Sequence, residues 1–240
     1  LIEVHPDDAK SHSIYADFLY RDKKTELARE EFRKAVSLDK NRYPIWYEIL
    51  RLDAELNDFE AMYKESKEAM ELYPNEPGPY LFLGVAAYQK KNYAEAIDAL
   101  LKGKDYVIDN KLLLSQFYSS LGDSYNQLKE YTKSDDNYEK ALIQDPNNVG
   151  VLNNYAYYLS LRGENLDKAE KMSRKTNELE PLVSSYQDTY AWILYILNKL
   201  EDAKLWLEKA MKNGADKNPV ILEHYGDVLY RLGDTKSAFE

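Results

Sequence analysis

The sequence predicts an all-α solenoid of stacked, antiparallel helix pairs, and three observations carry that prediction. A small residue returns at a nearly fixed interval: Ala16, Gly84, Gly122, Ala156, Ala191 and Gly226 hold equivalent places, with Leu50 in the one gap, at steps of 34, 34, 38, 34, 35 and 35 residues. Self-similarity at this period marks stacked units, none of which can bury its apolar face alone. Each period also splits into two stretches whose core residues recur at i, i+3, i+4 and i+7, the spacing of one helical face. Finally, 9 Gly and 8 Pro in 240 residues leave no room for long loops, so regular helix fills the interval.

Taken in order, residues 1–8 read as the tail of a preceding unit, because Pro6 lies two periods, 68 residues, before Pro74. The first unit, 9–42, has Tyr15, Ala16 and Leu19, then Ala28, Phe32 and Ala35. The second, 43–76, has Trp46, Ile49 and Leu50, then Met62, Ala69 and Pro74. The third, 77–110, has Tyr80, Leu83 and Gly84, then Ala96 and Leu100. The fourth, 115–148, has Tyr118, Leu121, Gly122 and Tyr125, a polar break at Lys129 and Glu130, then Ser134, Tyr138 and Ala141. Asp145-Pro146-Asn147-Asn148 stops its second helix, since Pro cannot continue a helix and Asn favours turns. The fifth, 149–183, has Leu152, Tyr155, Ala156 and Leu159, then Ala169 and Pro181. The sixth, 184–218, has Tyr190, Ala191 and Leu194, then Ala203, Leu207 and Ala210. The seventh, 219–240, has Leu222, Tyr225, Gly226 and Leu229, with Ala238 opening a second helix that is cut short. No polar capping helix is visible at either end, so the expectation is an array that continues on both sides.

The small residues explain the pairing. In most units a small side chain on the first helix faces another twelve residues later, and neither Cβ then holds the helices apart. Volume added to such a contact costs about 1–3 kcal/mol. Leu50 opposite Met62 breaks the rule, so the second pair is expected to sit further apart or to cross differently. The 38-residue step is expected to lengthen helices or their link around Asp105–Lys111, and a one-residue excess falls near Arg162-Gly163-Glu164-Asn165.

These residues carry a family resemblance. A large residue, Leu-Gly and Tyr on helix A, then small, aromatic and Ala on helix B, then Pro, resembles the tetratricopeptide repeat, and the pattern covers nearly the whole chain. The fifth to seventh units resemble a bacterial subtype. The resemblance implies a right-handed superhelix in which helix A lines a concave groove and helix B the convex back. Carried over position by position, it implies groove-facing roles for Tyr47, Asp123, Asn126, Asn153, Tyr157, Asp188, Trp192, Tyr195 and Glu223, with Asp227 and Tyr230 beyond. Tyr, Trp and Asn suit peptide recognition, and the acidic residues suit a segment with Lys or Arg. A known clamp of Lys, Asn and Arg for a C-terminal carboxylate is absent: Asn154 stands at one Asn position, but Gln116, Ser120, Asp123, Ser185 and Thr189 surround it.

Composition narrows the function classes. With 32 Lys plus Arg against 42 Asp plus Glu, the net charge is −10, which disfavours nucleic acid as a partner. The absence of cysteine removes disulfides, thiolate nucleophiles and sulfur-built zinc sites. No stretch approaches the 18 apolar residues of a membrane span. His5, His12 and His224 are too scattered for a metal trio, and His12 reads as a core or surface residue. Asp7-Asp8 follows a Pro at a helix start and reads as a cap, while Asp135-Asp136 lies on adjacent faces of one helix and cannot converge. A phosphate loop is missing. No metal and no cofactor are therefore expected, and no catalysis.

The expected function is a protein-interaction scaffold that holds a peptide or protein segment, with basic side chains favoured, in the groove. The alternatives are self-association into a dimer, or a docking arm of a larger enzyme or a secretion or envelope protein. The bacterial resemblance leans localisation toward the cell envelope or periplasm, with the cytoplasm as the alternative.

Overall fold

A computed structural model of the chain describes residues 7–238. Most of the tail at 1–8, with Pro6 and His5, and the last two residues lie outside the described residues. Fourteen α-helices follow one another, and no strand occurs among the described residues. They are α1 (Ala9–Arg21), α2 (Thr25–Leu38), α3 (Tyr43–Glu55), α4 (Phe59–Leu72), α5 (Pro77–Gln89), α6 (Tyr93–Lys104) and α7 (Lys111–Gln127). Then come α8 (Tyr131–Gln144), α9 (Val149–Arg162), α10 (Leu166–Leu179), α11 (Ser184–Ile196), α12 (Leu200–Ala210), α13 (Pro219–Arg231) and α14 (Thr235–Ala238). Odd-numbered helices carry the A pattern and even-numbered ones the B pattern.

Local chemistry sets the boundaries. Asp8, Asn110, Asn148 and Asn218 each accept a backbone N–H of the following first turn through the side chain, satisfying donors that the helix leaves open. Pro77 and Pro219 begin helices, where no N–H is needed. Every A-to-B turn is three residues long. Its middle residue is left-handed in six of the seven: Lys23, Asn57, Lys91, Lys129, Asn198 and Gly233 have φ between 55° and 88°. In the fifth turn Gly163 and Asn165 take that conformation instead. A lysine held there pays a steric penalty that glycine avoids. Lys91→Gly is therefore expected to raise stability by about 0.5–1 kcal/mol, read as a higher urea midpoint; a lower midpoint would show that the turn is unstrained.

The chain forms two compact units, one up to Asn137 and one from Tyr138. Within each, a B helix packs on the A helix before it and on the A helix after it, and successive A helices lie side by side: α3, α5 and α7 in the first unit, α9, α11 and α13 in the second. The small pairs lie at these contacts. Ala16, Ala28, Ala156, Ala169, Ala191 and Ala203 are fully buried, and Ser134 Oγ donates to the Gly122 carbonyl at 2.8 Å. A Cβ at Gly84 would stand 2.5 Å from Leu100 Cγ, and one at Gly226 would stand 3.2 Å from the Ala238 carbonyl.

The exceptions have physical causes. Leu50 and Met62 are both fully buried, and α3 and α4 approach over a shorter stretch than α1 and α2 or α5 and α6. The two large side chains act as a wedge between those backbones. The four extra residues of the long step go mainly into the start of α7, which has 17 residues against 13 in α5. The six-residue link 105–110 is two longer than the link 73–76, and α6 is two residues shorter than α4. The excess in the fifth unit lengthens α9 to 14 residues and leaves its turn unchanged. Gly103 on α6 is a close-approach residue with no periodic signal: a Cβ there would lie 2.3 Å from Tyr80 Cβ and 2.8 Å from Phe117 Cε1.

Candidate functional site

The sequence-predicted site residues fall on the A helices of both units. In the first unit Tyr47 on α3 is 39% exposed and meets Phe82 edge-on at 5.5 Å and Tyr43 at 6.4 Å. Next to it on α3, Arg51 lies 4.4 Å over the Tyr20 ring and pairs with Glu48 at 2.7 Å and Glu55 at 3.3 Å. The two acids on this stretch therefore share one guanidinium. Asp123 and Asn126 stand half-buried on α7, one turn apart.

In the second unit the structure brings Asp188, Trp192 and Tyr195 of α11 into one ladder with two residues of α13. Asp188 Oδ1 stands 2.8 Å from His224 Nδ1. The His224 ring stacks on Trp192 at 4.4 Å and 24°. Trp192 in turn stacks on Tyr195 at 5.1 Å and 22°, and the Arg231 guanidinium lies 4.8 Å over Tyr195. Arg231 is anchored by the Asn198 side chain at 2.6 Å. On α9, burial first, then the Asp188 carboxylate, hold the Tyr157 phenol above the usual range. His224 and Arg231 were missed because a stack across two helices leaves no spacing within either one.

Through the stack on His224, Trp192 ties α11 to α13. Its hydrogen bonding is incomplete: Trp192 Nε1 is buried without an acceptor, and Asn153 Oδ1 on α9 is buried without a donor. Asn153 spends its Nδ2 on Asn154 at 3.4 Å. Glu223 and Asp227 are exposed on α13, and no ion pair engages them among the described residues. Tyr230, one turn further, is 60% exposed.

Elsewhere the polar residues are structural. His12 is buried, with Nδ1 2.6 Å from Glu31 Oε2. Asp8 caps α1 through Ser11 N at 2.9 Å. No metal-binding group of His, Cys, Asp and Glu occurs among the described residues, and no helix among them is long and apolar enough to cross a membrane.

Paired helices stacked on their nearest neighbours, with a continuous face of A helices in each unit, define a helical-repeat protein of the α-solenoid class. The particular repeat follows from comparison: sequence models of the tetratricopeptide repeat match residues 9–42 and 115–148, 67–105, and 137–171, and the chain belongs to that family. It is 28% identical over 149 residues to the TPR repeat-containing protein PA4667 of Pseudomonas aeruginosa, covering 62% of this chain and 24% of that protein. The chain thus spans about a quarter of that curated relative. Its fold resembles a chain of the APC/C hetero-tetramer Cut9–Hcn1, with a TM-score of 0.81 and 16% identity over 95% of this chain and 44% of the other. It also resembles YrrB, described as a TPR protein with an unusual peptide-binding site, with a TM-score of 0.56 and 19% identity over 80% and 95% of the two chains.

Proposed function

We propose that the protein is an interaction scaffold whose A-helix face holds a segment of another protein, without chemistry of its own. The observation that carries this reading is the pair of unsatisfied groups in the second unit. Leaving a buried donor and a buried acceptor unpaired costs about 1–3 kcal/mol each. A peptide group has a carbonyl for Trp192 Nε1 and an N–H for Asn153 Oδ1, once side-chain movement on binding uncovers the two atoms. Unpaired Glu223 and Asp227, with exposed Tyr230 beside them, favour a segment that carries Lys or Arg. Tyr47, Asp123 and Asn126 extend the reading to the first unit, and YrrB offers a peptide-binding precedent on the same fold.

Site-specific photocrosslinkers in the native cells test this. Placed at Tyr47, Tyr157 and Tyr230, they are expected to capture a common partner. Placed at Ile143 of α8 and Leu205 of α12, which are 72% and 62% exposed, they are expected to capture little. Equal capture from the B helices would remove the assignment to the A face. A second reading, self-association, has its own observation: Phe18 and Leu27 on α1 and α2 are 61% and 55% exposed. Crosslinks from these two positions to a second copy would establish it.

A further inference from the structure

A buried charge cluster joins α2, α3 and α4, away from the ladder. Asp53 on α3 is completely buried. Its Oδ1 accepts from Arg29 Nη1 at 2.8 Å and from Arg33 Nη2 at 3.2 Å, both on α2. Arg33 Nε also donates to Glu65 Oε1 of α4 at 2.8 Å, and Arg29 Nη1 to Asp58 Oδ2 at 2.9 Å. Glu30 meets Arg33 Nη1 from the solvent side at 2.7 Å. Two oxygens remain: Asp53 Oδ2 and Glu65 Oε2 are buried, and neither receives a donor. Arg33 bridges the two carboxyl groups, with Nη2 on Asp53 and Nε on Glu65.

Charge counting gives the missing component. Two guanidinium groups face four carboxyls, Asp53, Asp58, Glu65 and, from the solvent side, Glu30, in a setting where an uncompensated buried charge is strongly unfavourable. One proton removes an excess negative charge where burial is deepest. Placed between Asp53 Oδ2 and Glu65 Oε2, it also gives the first oxygen a hydrogen to donate and the second one to accept. We propose that Asp53 and Glu65 share one proton in the folded protein at neutral pH, making the joint between α3 and α4 a pH-sensitive clamp. An open cleft of about 280 Å³, lined among others by Arg33, Trp46 and Glu65, lies beside the joint and connects it to solvent. The only ionisable residues of α5, which also packs on α3, are Tyr80 and Tyr88, so the acids and bases of the cluster come from α2, α3, α4 and the Asp58 turn.

Burial first, and Glu65 next, push the Asp53 carboxyl up to about 8, against the smaller opposing pull of Arg29 and Arg33. The unfolded chain releases the same proton near pH 4. Between those limits the folded state holds a proton that the unfolded state has lost. The stabilisation is complete below the unfolded value and is lost as pH rises through the folded one. Above it, two adjacent carboxylates repel across the α3–α4 contact that Leu50 and Met62 already hold apart.

The test uses the full chain with Asp53→Asn and Glu65→Gln. In either variant an amide N–H replaces the shared proton. Infrared spectra near pH 6 are expected to show the carbonyl stretch of a buried, protonated carboxyl in the wild type and its loss in both variants. Between pH 6 and 8 the wild-type unfolding constant, from urea titration, is expected to rise by up to about tenfold per pH unit relative to Asp53→Asn. Hydrogen exchange of α3 and α4, corrected for intrinsic rates, should accelerate over the same interval. A wild type without the band, a band retained in both variants, or parallel pH profiles would overturn the proposal. If neither variant folds, the wild-type band decides: bleaching as pH rises toward 9 supports the shared proton, and absence of the band sinks it.

Discussion

Phe117→Ala is expected to lower the unfolding free energy by about 3–5 kcal/mol, the largest loss of any single substitution considered for this chain. Phe117 is fully buried and belongs to a cluster with Tyr80, Ile97, Leu100 and Leu121. It belongs to α7, and with Tyr80 of α5 it closes over Gly103 of α6, so one ring serves contacts among three helices. Neighbours that approach this closely cannot collapse to fill the space, and the cavity term adds to the lost burial. Tandem repeats can unfold in parts rather than as one body, so a urea curve alone is insufficient. Hydrogen exchange should place the loss in α5, α6 and α7. A fall below about 1 kcal/mol would show that the cluster relaxes around the gap.

Trp192→Ala is expected to cost about 2–4 kcal/mol in the second unit and to accelerate amide exchange in α11 and α13. A groove-facing position alone would let this change leave the helices intact. Its stacking between His224 and Tyr195 makes it a tie between two helices, and truncation removes both contacts at once. Trp192→Phe keeps a ring for the stack and is expected to cost less than half as much. If exchange in α13 is unchanged in Trp192→Ala, the ladder is not structural. Loss of partner capture in this variant says little by itself. Tyr230, at 60% exposure, is the cleaner position for measuring binding.

Much of the architecture was legible because it follows from local rules. Ala16 and Ala28 or Ala191 and Ala203 pair at one interval in unit after unit, so the interval reveals both the helices and which face each one buries. The caps were equally readable, since Asp8 and Asn148 act within three residues of themselves. Gly103 was not legible, because its neighbours Tyr80 and Phe117 come from two other helices. The left-handed lysines of the turns were hidden as well: lysine has no preference for that conformation, and the packed helices on either side impose it.

The repeat and its register are readable in the chain alone, because periodic burial is written in every unit. How side chains of different helices combine is settled by packing. Packing stacks Trp192 on His224 across two helices, leaves Glu223 and Asp227 without an ion pair among the described residues, and encloses Asp53 among the arginines of α2. The reason is physical: the contacts between helices, such as Arg33 with Asp53 and His224 with Asp188, join residues 20 and 36 apart in the chain, and no spacing within one helix records them.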